Sequence, residues 1–298
     1  MKKFWGFAAM LTATLLWGFA FSAQSKGMDY IGPVIFNSLR SVIAFLSLFS
    51  GVVILDIFRG RRPSLWGDAV SPADRKNLLY GGLWCGIALG FASNLQQIGL
   101  QFTSVGKTGF LTALYIIIVP LMGIFFKRRT TLGLWIAVIL ALVGTYLLCG
   151  GISNIGKGEL LVVAASFLYS IHILLIDHYI NKCDCIRMSC IQFAAASVLS
   201  IVLSFVFKEL WIWHKIIRAI SLLLFCGTGS GAIAFTLQMV SQKYLHPVTA
   251  SLIMSLESVF ALLGGWLFLK QTLTLHEMIG CAVIFLAIII TQIKFKKN

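Results

Sequence analysis

Charged residues are scarce in this sequence: they make up 11% of its 298 residues, whereas hydrophobic residues make up 59%. The mean hydropathy is +0.93. A soluble domain usually contains about 25% charged and about 45–50% apolar residues. A chain with so few charged residues could not present a polar surface to water, as a soluble protein must. The same chain is too apolar to be a disordered protein. The composition excludes both classes, as well as a secreted disulfide scaffold, and it predicts an integral membrane protein.

The chain also lacks the residue patterns of metal sites and of common enzymes. Cys183, Cys185 and Cys190 cluster, but no second Cys or His pair accompanies them, so we expect neither a metal site nor a disulfide. No His-Glu-x-x-His pair, Gly-x-Ser-x-Gly elbow or Walker lysine motif is present. We therefore expect no catalytic residues, no cofactor, no enzymatic activity and no ATP-driven transport within this chain.

Apolar runs of membrane-spanning length recur ten times, separated by short polar breaks. About 20 apolar residues in a helix cross the hydrocarbon core of a bilayer. The runs lie at residues 4–24, 31–55, 78–100, 105–126, 132–150, 158–177, 186–207, 216–242, 247–269 and 273–293. The longest connection, Asp56 to Lys76, is too short to fold separately. The sequence predicts an all-α integral membrane protein with ten transmembrane helices.

Basic residues are distributed unevenly between the two sides of this arrangement. The formal net charge is +14, and 16 of the 24 Lys and Arg residues fall on the side of the N-terminus, with seven on the other side. Cytoplasmic loops of membrane proteins are enriched in Lys and Arg. We expect a multi-pass protein of the bacterial inner membrane with both termini in the cytoplasm. The positive charge then requires no nucleic-acid partner.

The first half of the sequence recurs weakly in the second half. An offset of 142 residues aligns Leu95-Gln96 with Leu237-Gln238 and Tyr115 with Glu257, and an offset of 152 aligns Leu16-Trp17-Gly18 with Leu168-Tyr169-Ser170 and Arg40 with Gln192. Because each half has five spans, the second half must enter the membrane from the opposite side. Inverted repeats of this kind are typical of secondary transporters, which bind substrate near the midplane. We predict two inverted five-helix repeats, residues 1–151 and 152–298.

The first span also fits a cleaved signal peptide, because Lys2 and Lys3 precede an apolar stretch that ends in the small residues Ala20 to Ala23. Its length and its counterpart in the second half favour a transmembrane helix instead.

Two charged residues fall well inside predicted spans, where a charge is costly and usually functional. Glu257 is the only acid near the middle of a span. A carboxyl in a medium of low dielectric favours its protonated form, which suits coupling to protons or binding of a cation. A brace between helices is the alternative for Glu257. Arg40 could bind a substrate carboxylate or phosphate with its planar fork, or it could form a structural network with Asn37.

Other intramembrane residues complete a candidate substrate cavity, namely Trp17, Asn94, Gln97, Thr112, Tyr115 and Gln238. Trp17 lies far from the membrane interface, where Trp is usual. An amide that faced lipid would be unsatisfied, so Gln97 and Gln238 are expected to line a cavity. His172 is expected to form a hydrogen bond between helices.

Glycine and proline residues indicate close packing and a kink. Gly82, Gly86 and Gly90 of the third span, and Gly227 and Gly231 of the eighth, are four residues apart, which allows helix backbones to approach closely. Pro120 in the fourth span is expected to kink that helix and to contribute to a gate.

The chain resembles the EamA-type carriers of the drug/metabolite transporter superfamily over nearly its whole length. The residues that carry the resemblance are Leu16-Trp17-Gly18; Pro33, Phe36 and Arg40; Leu95-Gln96-Gln97-Ile98-Gly99-Leu100; Gly106 through Thr112, Tyr115 and Pro120; and Ser255-Leu256-Glu257-Ser258-Val259-Phe260 with Gly264-Gly265-Trp266. Members usually carry proline after that glutamate, where this chain has Ser258.

The resemblance implies two inverted repeats around a central cavity lined chiefly by helices one, three, four, six, eight and nine. It also implies export or exchange of small metabolites. We therefore predict a secondary transporter that exports or exchanges small metabolites, such as amino acids or their derivatives, by alternating access, with Glu257 as the candidate residue for coupling to protons. The expected partners are a small-molecule substrate, the lipid bilayer and, in a coupled carrier, protons. An efflux carrier for organic cations is the alternative within transport, and a membrane enzyme or a scaffold is the alternative from another class.

Overall fold

A computed structural model of the chain describes residues 2–69, 71–125, 132–149, 156–270 and 274–292. Within these ranges every regular element is a helix, which confirms the predicted all-α class. The elements are α1 Lys2–Gly27, α2 Pro33–Phe58, α3 Pro72–Leu100, α4 Val105–Thr112, α5 Tyr115–Phe125, α6 Leu132–Cys149, α7 Lys157–Tyr179, α8 Cys185–Val206, α9 Trp213–Arg218, α10 Ile220–Leu224, a π-helical segment Phe225–Ile233, α11 Ala234–Gln242, α12 Pro247–Met254, α13 Leu256–Leu269 and α14 Leu275–Gln292.

Eight helical stretches of the described chain are long and apolar enough to cross a membrane. They coincide with the first to fourth and the sixth to ninth predicted spans. Two shorter apolar stretches, Trp135–Gly144 within α6 and Met278–Ala287 within α14, coincide with the fifth and tenth predicted spans. The chain thus has the helices of a multi-pass membrane protein.

Proline and capping side chains determine where several helices begin. Pro33, Pro72 and Pro247 occupy the first turns of α2, α3 and α12, where a missing N–H costs nothing. The Ser71 hydroxyl accepts a hydrogen bond from the Asp74 backbone amide at 3.0 Å and so caps the N-terminus of α3. Since α2 extends to Phe58 and α3 begins at Pro72, the connection is shorter than the sequence indicated: Asp56 and Lys76 both lie in helices.

Within the described residues, three of the ten predicted helices are interrupted. The fourth is divided at Ala113 and Leu114 between α4 and α5, and the ninth at Ser255 between α12 and α13. At both breaks a backbone N–H bonds three residues back, from Leu114 to Leu111 at 3.3 Å and from Ser258 to Ser255 at 3.2 Å. Pro120 lies inside α5, so the interruption of the fourth helix precedes the expected kink by a turn or more.

The eighth predicted helix contains the π-helical segment, which the continuous hydropathy of residues 216–242 did not indicate. The short helix α9 precedes it, and α10 and α11 flank it directly. π-Helical turns are rare and often lie at functional sites.

The helices pack in a pattern that joins the two halves of the chain. α3 packs against α7 and α8, and α1 packs against α11 and α13. α2 packs against α8 and the π-helical segment, and α6 against α14. The main hydrophobic core takes most of its buried residues from α1, α5, α6, α7 and α12, with further residues from α2, α3 and α8.

Close approach at the glycines is confirmed. A Cβ on Gly86 would lie 2.4 Å from the Gln192 carbonyl oxygen in α8, and one on Gly227 would lie 2.6 Å from the Ile43 Cβ in α2. Only glycine fits at such distances, so these positions allow α8 to pack against α3 and α2 to pack against the π-helical segment.

Candidate functional site

A polar cavity lies in the middle of the bundle, and we call it the central cavity. Its lining includes six residues that the sequence indicated: Trp17, Arg40, Thr112, Tyr115, Gln238 and Glu257. The cavity volume is about 30 Å³. Since one water molecule needs roughly 10–15 Å³ measured in this way, a larger solute can enter only when side chains or helices move.

Two expected lining residues do not reach the central cavity. Asn94 lies between α3 and α8, where its Nδ2 donates to the Gly90 carbonyl and to Ser200 Oγ, both at 2.7 Å. Gln97 is fully buried, and neither its Nε2 nor its Oε1 has a hydrogen-bond partner. Adjacent residues of an α-helix point about 100° apart. The neighbouring Gln96 therefore lines the cavity instead, which corrects our expectation for Gln97.

The two helix breaks meet in the cavity wall. Tyr115 is the first residue of α5 and Glu257 lies in the first turn of α13, so each side chain directly follows an interruption. The Tyr115 hydroxyl lies 3.3 Å from Glu257 Oε2 and donates to it. Both side chains are buried. These are the residues that the 142-residue offset aligned, so equivalent points of the two halves touch each other.

Two glutamines form a second matched pair. The Gln96 amide donates from Nε2 to Thr112 Oγ1 at 2.8 Å and accepts from the Tyr169 hydroxyl at 3.0 Å. The Gln238 Nε2 instead faces the Met254 sulfur at 3.9 Å, a weak acceptor, and its Oε1 has no partner. The offset of 142 aligns Gln96 with Gln238 and Thr112 with Met254, so the two contacts lie at equivalent positions of the two halves. Gln238 therefore keeps unused hydrogen-bonding capacity in the lining.

Arg40 is anchored at one nitrogen. Its Nε donates to Asn37 Oδ1 at 2.8 Å, and the Asn37 Nδ2 donates to Ser93 Oγ and Ser200 Oγ, each at 3.1 Å. Among the described residues, no carboxylate lies within 4.0 Å of the guanidinium. The network that holds Nε thus leaves the Nη atoms of a permanent cation without an acidic partner.

Aromatic rings form the remaining wall. Trp17 packs on Phe235 with ring centroids 4.8 Å apart, and its Nε1 donates to the Ser230 carbonyl of the π-helical segment at 3.0 Å. His172 bonds Gln192 of α8 at 2.8 Å, which confirms the expected hydrogen bond between helices. Tyr169, His172 and Phe235 all line the cavity, and the sequence had not placed Tyr169 or Phe235 there.

The arrangement combines an arginine without a counter-ion, a buried carboxyl, amides and aromatic rings. Such a lining can bind a small solute that carries charge. Among the described residues, no group of three or more His, Cys, Asp or Glu side chains could hold a metal ion. The class this defines is a helical membrane protein with a central polar cavity.

Comparison with known proteins identifies the family. The model of the EamA-like transporter family matches residues 4–150 and again residues 156–293. The chain belongs to the EamA-like transporter family, within the drug/metabolite transporter superfamily, and it is a membrane transporter.

Two relatives are similar over nearly the whole chain. An uncharacterized transporter of Archaeoglobus fulgidus is 27% identical, over 99% of this chain and 88% of that protein. The uncharacterized transporter YoaV of Bacillus subtilis is 26% identical, over 97% of each. A solved structure described only as the crystal structure of a protein has a TM-score of 0.76 at 16% identity and covers 96% of both chains, so the fold is shared.

Proposed function

We propose that the protein is a secondary transporter of small zwitterionic metabolites, such as amino acids or their derivatives, which it exports or exchanges by alternating access. The observation that carries this proposal is the presence of Arg40 and Glu257 in the lining of one cavity. The Nη atoms of the guanidinium provide N–H donors for a carboxylate, and the carboxyl of Glu257 provides an acceptor for an amine. Trp17 and Phe235 offer an apolar surface to the body of the solute.

Ten transmembrane helices in two inverted repeats, residues 1–151 and 152–298, fit the packing of the bundle. Under the two sequence offsets, α1 corresponds to α7, α2 to α8, α3 to the π-helical segment with α11, and α6 to α14. The contact of α3 with α7 then corresponds to that of α11 with α1. The α2–α8 and α6–α14 pairs each join equivalent helices. This exchange symmetry supports an inverted repeat.

The matched helix breaks support a binding site at the midplane. Interrupted helices in corresponding positions of two halves are a recurrent sign of transporter substrate sites. Here the breaks at Ala113 and at Ser255 flank the central cavity. Because the cavity is small, we infer that rotation about these breaks enlarges it toward one side of the membrane at a time.

The substrate can be found by comparing metabolites in the medium and in cells with and without the gene. Purified protein in proteoliposomes should then transport the enriched solute without altering it, whereas an enzyme would convert it. In exchange at equal pH, Arg40→Gln should abolish transport of the zwitterion but not of its carboxamide analogue, and Glu257→Gln should weaken exchange of the zwitterion but spare that of the N-acetyl analogue. Glu159→Gln, at a buried glutamate outside the cavity lining, serves as control. Equal loss for every analogue would contradict recognition of both charges.

An organic-cation carrier is the second candidate, because Glu257 and the Trp17–Phe235 pair could bind a cation through charge and through the faces of the rings. Arg40 separates the two functions. Its positive charge repels a cation, so Arg40→Gln should increase transport of such a substrate and decrease transport of a zwitterion.

The distribution of Lys and Arg supports a topology with both termini in the cytoplasm of a bacterial cell. A reporter fused after Asn298 should be active if it requires the cytoplasm and inactive if it requires the periplasm. The reverse pattern would contradict this orientation.

A further inference from the structure

A second cavity of about 520 Å³ lies on the side of the bundle, between α1, α10 and α13. We call it the α1–α13 groove and define it by Phe19, Ala23, Leu222, Phe225 and Phe268. The helix α1 separates it from the central cavity, since Trp17 and Phe21 line the central cavity while Phe19 and Ala23 line the groove. The groove is therefore a separate feature from the proposed substrate site.

The groove has the depth of part of one leaflet. Its α1 wall runs from Phe19 to Lys26, a rise of roughly 10 Å at about 1.5 Å per residue. Half of a hydrocarbon core is roughly 15 Å thick. Phe268 is 65% exposed, so the groove opens sideways toward the lipid. The space is thus suited to an acyl chain that lies parallel to α1.

The polarity of the groove changes at one end only. Lys26 lies at the mouth, exposed and in a loose ion pair with Asp29 at 3.6 Å, and such surface pairs contribute little. Arg218, also exposed, lies one turn before Leu222 at the same end. Ser22 is 2% exposed, contributes to the groove lining, and its Oγ has no hydrogen-bond partner. The Ser22 Oγ is itself inaccessible and lies against Gly264 of α13, so the exposed cations are what distinguish this end of the groove, and they match the phosphate of a phospholipid.

We propose that the α1–α13 groove is a binding site for one anionic phospholipid, with an acyl chain among Phe19, Leu222 and Phe268 and the phosphate near Lys26. An apolar space with cations at a single end has the polarity of a phospholipid, whereas a wholly apolar ligand would make no use of the positive charge of Lys26. The proposal requires only the membrane location that the family establishes, and it does not depend on the identity of the substrate.

Lipid retention by the purified protein tests the proposal. Native mass spectrometry after a delipidating detergent wash should find one phosphatidylglycerol on the wild type. Ala23→Trp fills the groove and should reduce its retention at least ten-fold. Lys26→Gln removes one cation near the phosphate, worth about five-fold in affinity. The matched controls are Val202→Trp on the exposed face of α8 and Lys215→Gln on α9, and both should retain the lipid as the wild type does.

A measurement on the wild type keeps the test independent of the folding of the variants. Phosphatidylglycerol with a photoreactive diazirine on its acyl chain should label the peptide of Leu222 and Phe225 well above the peptide of Val198 and Val202. Equal labelling of both peptides, or equal lipid retention by Ala23→Trp and Val202→Trp, would overturn the proposal. Equal retention of phosphatidylglycerol and of an uncharged single-chain alcohol would overturn the role of Lys26.

Discussion

Two adjacent glutamines of α3 have opposite environments. Gln96 forms hydrogen bonds with Thr112 and Tyr169, whereas the fully buried amide of Gln97 has no partner among the described residues. A buried polar group without a hydrogen bond destabilises the folded state, by about 1–3 kcal/mol in mutational data. Gln96 therefore organises the cavity wall, while Gln97 contributes only its volume to packing.

This difference predicts opposite effects for the same substitution. Gln97→Met replaces an unbonded amide with an apolar side chain of similar length, so it should leave transport unchanged and keep or raise the thermal unfolding temperature in detergent. Gln96→Met removes two hydrogen bonds from the lining and should lower both transport and stability. Loss of transport in Gln97→Met alone would reverse the assignment of the two residues.

Glu257 is the residue that we expect to couple transport to the proton gradient. Gln at this position retains the size and hydrogen bonding of a protonated carboxyl but cannot release a proton. Glu257→Gln should therefore abolish uphill transport driven by a pH gradient, while some exchange of substrate at equal pH remains. The measurement compares the two assays in the same proteoliposomes. Uphill transport with an unchanged pH dependence would assign Glu257 a structural role.

The sequence predicts the charged part of the site well and the amide part poorly. Arg40 and Glu257 are evident because a charge within an apolar run is costly and needs a reason. The choice between Gln96 and Gln97 depends on the rotation of α3 about its axis, which hydropathy does not specify. The repeat contained the missing signal, since the offset of 142 aligns Gln96, and not Gln97, with Gln238.

At the scale of the helices, small residues determine which pairs can approach. A Cβ on Gly86 would meet the Gln192 carbonyl oxygen at 2.4 Å and the Ala195 Cβ at 2.6 Å. Neither atom is the end of a flexible side chain, so α3 and α8 would have to separate. Gly51 of α2, by contrast, has nothing within 4 Å of the corresponding position.

Gly86→Ala should therefore lower the thermal unfolding temperature by several degrees, whereas Gly51→Ala should leave it unchanged or raise it, because alanine has the higher helix propensity. Unfolding of the detergent-solubilised protein, followed by fluorescence, compares the two. An equal effect of both substitutions would contradict close packing of α3 on α8.

Helix interruptions were the least predictable elements. Residues 105–126, 216–242 and 247–269 each form one continuous apolar run, so nothing in their hydropathy marks the breaks or the π-helical segment. Pro120 was the one residue of the fourth span from which a kink was predicted, yet the helix is interrupted at Ala113 and Leu114. Ser258, in place of the usual proline, lies in the first turn of α13, and its N–H bonds Ser255. This chain therefore keeps a break without a proline next to Glu257.

At the scale of the whole molecule, the pair of α2 and α8 joins the two halves at both of its ends. At one end the side chain of Glu209 accepts the amides of Val34 and Ile35 at 3.1 and 2.8 Å. At the other end Arg187 forms an ion pair with Asp56, and both side chains are almost fully buried. The Ser64 amide also donates to Asp56 at 3.0 Å, so the connection between α2 and α3 closes over the pair.

The ion pair between Asp56 and Arg187 has a structural role that a count of charges on each side of the membrane does not detect. By sequence, Asp56 and Arg187 are ordinary residues of cytoplasmic connections, and Arg187 contributes only to the charge bias. In the fold each is held by the other half of the chain, and Arg187 Nε also donates to the Ser64 carbonyl at 3.2 Å. Their role depends on tertiary contacts between residues 131 positions apart, which no local pattern contains.

Removal of one partner from this pair should be strongly destabilising. Asp56→Ala leaves the buried Arg187 guanidinium with Asp184, 3.7 Å from Nη1, as its remaining acidic partner. Removal of one partner from a buried ion pair typically costs about 3–5 kcal/mol, and the looser contact with Asp184 should offset only part of that cost. The double substitution Asp56→Leu with Arg187→Met removes both charges and should recover most of the loss. Asp68→Ala, which breaks the exposed pair with Arg61, is the matched control and should cost at most about 1 kcal/mol. Thermal unfolding of the four proteins in one detergent ranks them. If Asp56→Ala were no less stable than Asp68→Ala, the buried pair would not hold the two halves together.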